Sequence, residues 1–374
     1  MSSEYAQSGV DYTKIEPFKQ AMKMVGRLTL GFPNKRGVVV ESFDHGTVFY
    51  YDAAATQSKY VRWSSTQEGL GNKNWISEWM YQNAGTGRTY YEGIGIDAAM
   101  MAVNDLIACG AMPVVYTDEV AAGDSEWFQD GKRAKDLADS YYRACKLAGM
   151  ALPAGESPAL KYLVKAELPV KSAPSLSGCV TGIIEPRTKI ITGEGVRPGS
   201  VILGVPSSGL HANGISLVIK RALGLKDQFL TKVGDTTLGD QALIPTTCYV
   251  DLVEELMKRG GGHFVQSFIP GTGGGVAKVA FDKRPFTYRI HSWVKEVPPL
   301  FQFMLELGVS LKDCLETFNW GIGYYIITDP LNVETIMKAG HTMGYEIMEI
   351  GRVEEGERKV IFEPEGITLP PPGE

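Results

Sequence analysis

The sequence predicts a mixed α/β protein of two domains. A chain of 374 residues is longer than a single hydrophobic core usually supports. Apolar segments of strand length alternate with amphipathic helical segments in both halves of the chain. The sequence Glu185-Pro186-Arg187 follows a predicted strand and favours a boundary there. We therefore expect an N-terminal domain over residues 1–186 and a C-terminal domain over residues 187–374.

Composition and charge exclude several classes of protein. The net charge of -6 and the scattered lysines and arginines argue against a nucleic-acid or anionic-membrane binder. The five cysteines are widely spaced and form no CxxC pair, so neither a disulfide framework nor a zinc site is indicated. No apolar run is long enough to span a bilayer. We therefore expect a cytoplasmic protein without a membrane or nucleic-acid partner.

The first elements of the chain are a helix and a pair of strands. An amphipathic helix is predicted up to Met24-Val25, and strands are predicted at 38–40 and 47–51 with a turn at Asp44-His45-Gly46 between them. Residues 64–92 are polar, aromatic and glycine-rich with few periodic hydrophobics. That segment is compatible with a mobile flap or with an insertion, and its pattern does not decide between them.

The second strand runs into a loop that could bind phosphate. Asp52 at the strand end is followed by small residues, a hydroxyl at Thr56 and an amine at Lys59. An acid, small residues and a lysine are suited to a metal ion and a polyphosphate. The alternative is an ordinary turn in which Asp52 caps a helix.

The helix predicted near residue 100 is the most informative element. Nearly all of its residues are apolar, so it should be buried on every side, yet it carries Asp97, Asn104 and Asp105. Asp97 and Asn104 fall roughly 20° apart on one face and about 10 Å apart along the axis. A buried carboxylate is costly unless it is paired, hydrogen-bonded or bound to a metal. These residues therefore indicate either a cation site or an N-cap with polar anchors for neighbouring loops.

Further acids occur in the same half of the chain. The short strand predicted at 114–116 ends in Asp118 and Glu119, and a short extended segment contains Glu156. Together with Asp52, these acids favour a cation site over separate structural roles. The other elements expected in this half are a helix over 130–149, a loop over 158–174 and a strand over 176–184.

The second half continues the alternation of strands and helices. A buried strand at 201–205 leads into a Gly/Ser-rich turn that contains His211 and Asn213, and a helix follows. Backbone N–H groups at such a turn can bind phosphate, although its serines and Asn213 could equally cap the helix. Also expected are a glycine-rich turn at 271–275, a strand at 319–327 and an unstructured tail at 370–374.

The set of motifs resembles phosphoribosylformylglycinamidine cyclo-ligase, also called aminoimidazole ribonucleotide synthetase. The motifs occur in the family's order and extend over nearly the whole chain. They are Ser8-Gly9-Val10-Asp11, Gly95-Ile96-Asp97, Val103-Asn104-Asp105-Leu106, Gly110-Ala111-Met112-Pro113, Gly155-Glu156-Ser157, Ser207-Ser208-Gly209-Leu210-His211-Ala212-Asn213-Gly214, Pro245-Thr246 with Tyr249-Val250, Thr272-Gly273-Gly274-Gly275 and Phe318-Asn319-Trp320-Gly321-Ile322-Gly323.

This resemblance implies a fold and an activity. The fold is that of aminoimidazole ribonucleotide synthetase, in which N-terminal domains pair into the β-barrel of a homodimer and the C-terminal domain is an α/β sandwich. The implied cofactors are ATP and Mg²⁺. The implied reaction is the ATP-dependent ring closure of formylglycinamidine ribonucleotide in purine biosynthesis, with release of ADP and phosphate.

The resemblance also assigns roles to particular residues. It implies metal ligands at Asp52, Asp97 and Asp105. It implies nucleotide binding by those acids and by Glu156, and the residue pattern adds Thr56, Lys59 and Asp118 as candidate nucleotide ligands. It implies catalytic roles for Asp97, Asn104, His211 and Asn213.

Two departures from the family pattern keep other activities open. The usual Asp-Gly-Val-Gly-Thr-Lys loop is Asp52-Ala53-Ala54-Ala55-Thr56-Gln57-Ser58-Lys59, and the usual Gly-Gly-Glu-Thr is Ala154-Gly155-Glu156-Ser157. One alternative is another ATP-using member of the superfamily, such as selenophosphate synthetase, thiamine-monophosphate kinase or the hydrogenase-maturation dehydratase. A second alternative is an inactive homologue that serves as a binding subunit, because alanine Cβ atoms in the loop could keep phosphates from the backbone.

Overall fold

The computed structural model describes residues 11–43, 46–52, 61–185 and 189–372. Its contacts divide the chain into two compact units, Met1–Leu106 with Pro113–Pro186 and Ile107–Met112 with Arg187–Glu374. Both units combine helices with a β-sheet, which confirms the mixed α/β class. The predicted turn at 44–46, the loop after Asp52 and the boundary sequence at 185–187 lie wholly or partly outside the described residues.

The first unit combines helices of up to 18 residues with β-strands. Its helices are α1 (Tyr12–Thr29), α2 (Lys73–Asn83), α3 (Ile94–Leu106) and α4 (Gly131–Ala148). Its strands are β1 (Val38–Phe43), β2 (Gly46–Tyr51), β3 (Arg62–Leu70), β4 (Met112–Ala121), β5 (Ala151–Glu156) and β6 (Ser175–Ile184). Short 3₁₀ turns lie at Phe32–Arg36 and Ser125–Gln129.

A four-stranded sheet in the order β3-β6-β4-β5 organises this unit. β3 pairs antiparallel with β6, while β4 and β5 are parallel. α4 packs against both α1 and α3, and the antiparallel hairpin β1-β2 adds Val38 and Val40 to a cluster with Val114 and Val115 of β4. The helices begin where the sequence offers caps: Asp130, for example, accepts hydrogen bonds from the first N–H groups of α4. The sheet therefore lies between helices and a hairpin, which buries the middle of β4.

Residues 64–92 are neither a flap nor an irregular insertion. β3 pairs along its whole length with β6, and α2 is buried from Lys73 to Met80. The sequence pattern did not reveal α2 because four of its buried residues are polar or charged, so the hydrophobic periodicity that marks a buried helix is missing. The prediction for this segment is corrected accordingly.

The strand predicted at 114–116 is longer than expected. β4 extends from Met112 to Ala121, so Asp118 and Glu119 lie within the strand and not after it. Asp118 is buried whereas Glu119 is exposed, as alternation along a strand requires. The acids are therefore held by the sheet and not by a loop.

The second unit contains the other elements. Its helices are α5 (Ile215–Ala222), α6 (Leu238–Ala242), α7 (Val250–Lys258), α8 (Gly261–Phe264), α9 (Pro299–Glu306), α10 (Leu311–Thr317) and α11 (Val333–Thr342). Its strands are β7 (Val201–Pro206), β8 (Lys232–Val233), β9 (Thr236–Thr237), β10 (Val265–Pro270), β11 (Phe286–Ile290), β12 (Ile322–Thr328), β13 (Met348–Glu355), β14 (Lys359–Phe362) and β15 (Ile367–Leu369).

A seven-stranded sheet in the order β10-β12-β7-β13-β11-β14-β15 forms the centre of this unit. Its pairs are antiparallel except for β11 with β14. β7 and β12 are buried along almost their whole length, in agreement with their apolar sequences. The tail was expected to lack structure, but Pro371 is buried and Pro372 lies against Gly274 of the glycine-rich turn. Across the described residues, no helix is long and apolar enough to cross a membrane.

Candidate functional site

The first turn of α3 contains a buried ion pair. Nζ of Lys73, the first residue of α2, lies 2.9 Å from Oδ1 of Asp97, and both side chains are completely buried. Burial lowers the pKa of Lys73 and the neighbouring Asp97 charge opposes that shift. The acid that the sequence marks as a metal ligand or an N-cap is therefore already joined to an ammonium group of the chain.

The other polar residues of α3 follow Asp97 along the helix. Asn104 is buried and Asp105 is partly exposed. Their positions on α3 agree with the predicted helix, which in the structure ends at Leu106. α3 therefore carries one fully buried acid, Asp97, and one partly exposed acid, Asp105.

Asp118 is another buried carboxylate of the unit. It pairs across the sheet with Gly155, and a Cβ added at Gly155 would lie 2.0 Å from Oδ1 of Asp118. Glycine is therefore required at position 155 for the carboxylate to fit. Among the described residues, Oδ1 of Asp118 has no hydrogen-bond partner. Burial, with the Glu156 charge as a smaller cause, raises the pKa of Asp118 to about 7.

Glu156 is the last residue of β5 and Asp52 directly follows β2, and both are more exposed than Asp118. The Glu156 side chain is 66% exposed, accepts a hydrogen bond from the Ser157 N–H and lies 3.7 Å from Nζ of Lys19. The backbone N–H of Asp52 donates to the Gly37 carbonyl. Thr56 and Lys59 lie outside the described residues. The structure brings Asp118 and Glu156 onto adjacent strands, and the part of the chain that it describes contains no group of three or more His, Cys, Asp or Glu side chains that could hold a metal ion.

The predicted turn of the second unit surrounds His211. His211 is fully buried and has a left-handed backbone conformation (φ 57°), which is uncommon for a residue other than glycine. Its Nε2 accepts a long contact of 3.5 Å from the Thr247 N–H. Asn213 is partly buried two residues later in the same turn. The turn therefore holds both predicted side chains on strained, tightly packed backbone.

Residues that the sequence did not single out as site residues hold this turn in place. Oδ1 of Asn319 accepts hydrogen bonds from Ser207 Oγ (3.0 Å) and from the Gly321 N–H (2.9 Å). Nδ2 of Asn319 donates to the Gly209 carbonyl at 2.8 Å. Asn319 occurs in a recognisable Asn-Trp-Gly-Ile-Gly motif, but only the fold shows what its side chain contacts.

Gly323 of β12 allows the packing around His211. A Cβ at this position would lie 1.9 Å from Oη of Tyr249 and 2.6 Å from Cε1 of His211. We expect Gly323→Ala to destabilise the second unit by about 1–3 kcal/mol, because the surrounding side chains must move. Urea unfolding measures this loss. Gly131→Ala is the control, since a Cβ there meets no atom within 4 Å, and equal losses for both variants would contradict the packing argument.

Comparisons with known proteins agree with the order of these motifs. The family models "AIR synthase related protein, N-terminal domain" and "AIR synthase related protein, C-terminal domain" match residues 78–184 and 197–363. The phosphoribosylformylglycinamidine cyclo-ligase of Desulfotalea psychrophila is 30% identical over 381 residues, covering 98% of each chain. That of Pyrococcus furiosus is 30% identical over 354 residues, covering 94% of this chain and 95% of the relative.

Solved structures show the same fold at lower identity. HypE of E. coli, a hydrogenase maturation protein, is 16% identical with a TM-score of 0.59 and covers 94% of this chain and 95% of its own. The thiamine-monophosphate kinase of Stenotrophomonas maltophilia is 14% identical with a TM-score of 0.57, covering 88% and 92%. Because both family models match in order and relatives of 30% identity align over nearly their whole length, the chain belongs to the AIR synthase family.

Proposed function

We propose that this protein catalyses the ATP-dependent ring closure of formylglycinamidine ribonucleotide to aminoimidazole ribonucleotide. The observation that carries the proposal is the near-complete alignment with enzymes named phosphoribosylformylglycinamidine cyclo-ligase. In this reaction the formamide oxygen of the substrate takes the γ-phosphoryl group of ATP and ADP leaves. A substrate nitrogen then forms the new C–N bond as phosphate leaves. Such chemistry depends mainly on positioning and charge neutralisation.

ATP and Mg²⁺ are the proposed cofactors. Mg²⁺ commonly binds through one or two carboxylates plus substrate phosphates, so a cage of three protein ligands is not required. Asp118, with a buried Oδ1 that lacks a hydrogen-bond partner, and Glu156 on the adjacent strand fit this donor set. Asp105 and Asp52 are further proposed ligands. When bound, the ion would neutralise phosphate charge.

The chain's own residues are proposed to position the nucleotide and the substrate. Thr56 and Lys59 are proposed to bind phosphate, and Asn104 of α3 to orient polar groups of the reactants. In the second unit, the backbone of the turn around His211 and the side chain of Asn213 are proposed to bind the substrate. The tight packing of that turn supports this role, because preorganised donors stabilise developing charge without reorganising.

We also propose that the protein is a cytoplasmic homodimer formed by its N-terminal domain. Apolar side chains on β2 and β3 support this, since Val48, Tyr50 and Trp63 are 52%, 46% and 41% exposed. Val48 and Tyr50 alternate along β2 and therefore share one face. A second copy whose strands complete a barrel would cover such a face.

The test is release of ADP with formylglycinamidine ribonucleotide as the only added substrate besides Mg-ATP. We expect turnover that depends on both compounds, and we expect Asn213→Ala to reduce kcat/KM by roughly 10- to 100-fold. Thermal unfolding with and without Mg-ATP accompanies the assay, because a bound nucleotide raises Tm. Stabilisation without turnover would favour another substrate, and no response in either measurement would favour an inactive homologue.

A further inference from the structure

The loop between β5 and β6 presents large apolar side chains to solvent. Tyr162, Leu163 and Leu168 lie within one short stretch of this loop and are 85%, 80% and 71% exposed. Among the large hydrophobic residues that the structure describes, only Leu331 is more exposed. Single exposed apolar residues are normal on a protein surface, but a group of them indicates an interaction site.

The backbone of this loop is tied to the first unit on both sides of the exposed residues. The Leu160 N–H donates to the Ala122 carbonyl at 2.7 Å. Farther along, Nε1 of Trp75 on α2 donates to the Glu167 carbonyl at 2.8 Å, and Val170 is fully buried. The apolar side chains are therefore held on an anchored backbone, which reduces the entropy that is lost when a partner binds.

The charges beside these apolar side chains are mainly positive. Lys161, Lys165 and Lys171 are exposed, and Glu167 is the one acid between positions 158 and 174 of the sequence. The whole chain has a net charge of -6, so this loop has the opposite sign to the molecule that carries it. A positive surface with apolar side chains is complementary to a segment in which carboxylates flank apolar residues.

We propose that the loop over residues 161–171 is a docking site for a partner protein that presents an acidic and apolar segment. Apolar side chains of the partner pack on Tyr162, Leu163 and Leu168, and its carboxylates face the lysines of the loop. The proposal concerns a surface and a partner, and it does not depend on the proposed reaction.

Two other occupants fit the charge and the backbone of the loop less well. A two-fold contact between copies of this chain brings the same patch of each copy together, so the lysines of both copies would repel one another. A lipid surface leaves the polar groups of irregular backbone without partners, and recognition of anionic lipid draws on clusters of about four to eight lysines or arginines. A protein can hydrogen-bond to the backbone while it covers the side chains.

The first test is fluorescence anisotropy with two labelled synthetic peptides, one composed of leucine and glutamate and the other of leucine and lysine. We expect the parent protein to bind the glutamate peptide about tenfold more tightly than the lysine peptide, because charge complementarity discriminates between partners. The triple variant Lys161→Glu, Lys165→Glu and Lys171→Glu should reverse this preference. Equal binding of the two peptides, or binding of neither, would overturn the proposal.

The double variant Leu163→Ser with Leu168→Ser tests the apolar part of the site. Its affinity for the glutamate peptide should fall about tenfold, since a few apolar anchors carry much of the energy of an interface. The loss should remain at high salt, where the contribution of the lysines is screened. Both leucines are exposed, so Tm should stay nearly unchanged. An affinity equal to that of the parent would contradict a role for these side chains.

Three exposed lysines on helices elsewhere in the chain provide the matched charge control. The side chains of Lys135, Lys312 and Lys338 are 73%, 58% and 74% exposed. Replacing all three with glutamate changes the net charge as much as the triple variant of the loop does, and the preference for the glutamate peptide should persist. Loss of the preference in this control would assign the binding to the charge of the whole chain and would overturn the proposal.

Analytical ultracentrifugation and sedimentation with vesicles separate the other occupants. We expect Leu163→Ser with Leu168→Ser to keep the oligomeric state of the parent, and a change would assign the loop to a contact between copies. We expect the parent not to sediment with vesicles of phosphatidylcholine and phosphatidylserine, and sedimentation that the triple variant loses would assign the loop to a membrane. Either result would overturn the proposal. These measurements need neither substrate nor nucleotide, so their failure and failure of the proposed reaction are distinguishable.

Discussion

Replacing Asp118 with asparagine is expected to make the ligand-free protein more stable at pH 8 and to remove most of its turnover. The reason is that burial raises the pKa of Asp118 to about 7 in the folded state, above its ordinary value of 3.8. Between these two values the folded state binds more protons than the unfolded state, so stability falls as the pH rises. Asparagine is neutral at every pH, so the variant does not lose stability in this way as the pH rises.

The size of the effect follows from the shift. About three pKa units correspond to about 4 kcal/mol, which is the largest gain expected for Asp118→Asn at pH 8. At pH 4 the gain should be small, because the folded parent already carries a protonated Asp118. Urea unfolding in EDTA at the two pH values measures the difference. A gain of equal size at both values would contradict the assignment of a raised pKa to this carboxyl.

The activity of the same variant tests the proposed role of Asp118. If its carboxylate helps to hold the metal and the phosphates, Asp118→Asn should lower kcat/KM on the order of 100-fold. Asp139→Asn is the control, because Asp139 lies on the exposed surface of α4 and its replacement should leave turnover unchanged. Full turnover by Asp118→Asn would remove Asp118 from the nucleotide site.

Replacing Arg133 with methionine is expected to lower the free energy of unfolding by about 3–5 kcal/mol. Nη1 of Arg133 lies 3.1 and 3.0 Å from the two carboxylate oxygens of Glu78, and Glu78 also accepts from Tyr91 Oη and Trp127 Nε1 at 2.7 Å each. Burial raises the pKa of Glu78, and the Arg133 charge opposes this shift. Without Arg133, the Glu78 carboxylate, which is 1% exposed, would keep two neutral donors among the described residues, Tyr91 and Trp127.

Tryptophan fluorescence measures this unfolding, and Trp127 of the cluster is one of the six tryptophans that contribute to the signal. The Arg133 guanidinium lies 4.5 Å from the centre of the Trp127 ring, so Arg133→Met also changes the environment of the indole in the folded state. The double variant Glu78→Gln with Arg133→Met should recover part of the lost stability, since it removes the stranded charge. Lys135→Met on the same helix is the control and should leave the unfolding midpoint unchanged. No recovery in the double variant would mean that Glu78 and Arg133 do not form a stabilising pair.

The sequence by itself determined the mixed α/β class, the buried helix α3 and the turn around His211. These features depend on neighbouring residues: apolar runs of strand or helix length, glycine and proline at their ends, and polar residues that interrupt an apolar segment. The ordered motifs also indicated the family before any coordinates. Such local signals could not show whether Asp97 faces a metal ion or another side chain.

Only the tertiary structure decided which groups meet. Lys73 and Asp97 are 24 residues apart, and Asp118 lies against Gly155 because β4 and β5 are parallel neighbours. The burial of α2 could not be predicted from the sequence either, because polar side chains usually indicate an exposed helix face and only the structure shows their buried partners. Contacts between residues that are distant in the sequence depend on how helices and strands pack together, and local sequence patterns carry no information about that packing. The partner of Asp97 could therefore be identified only from the fold.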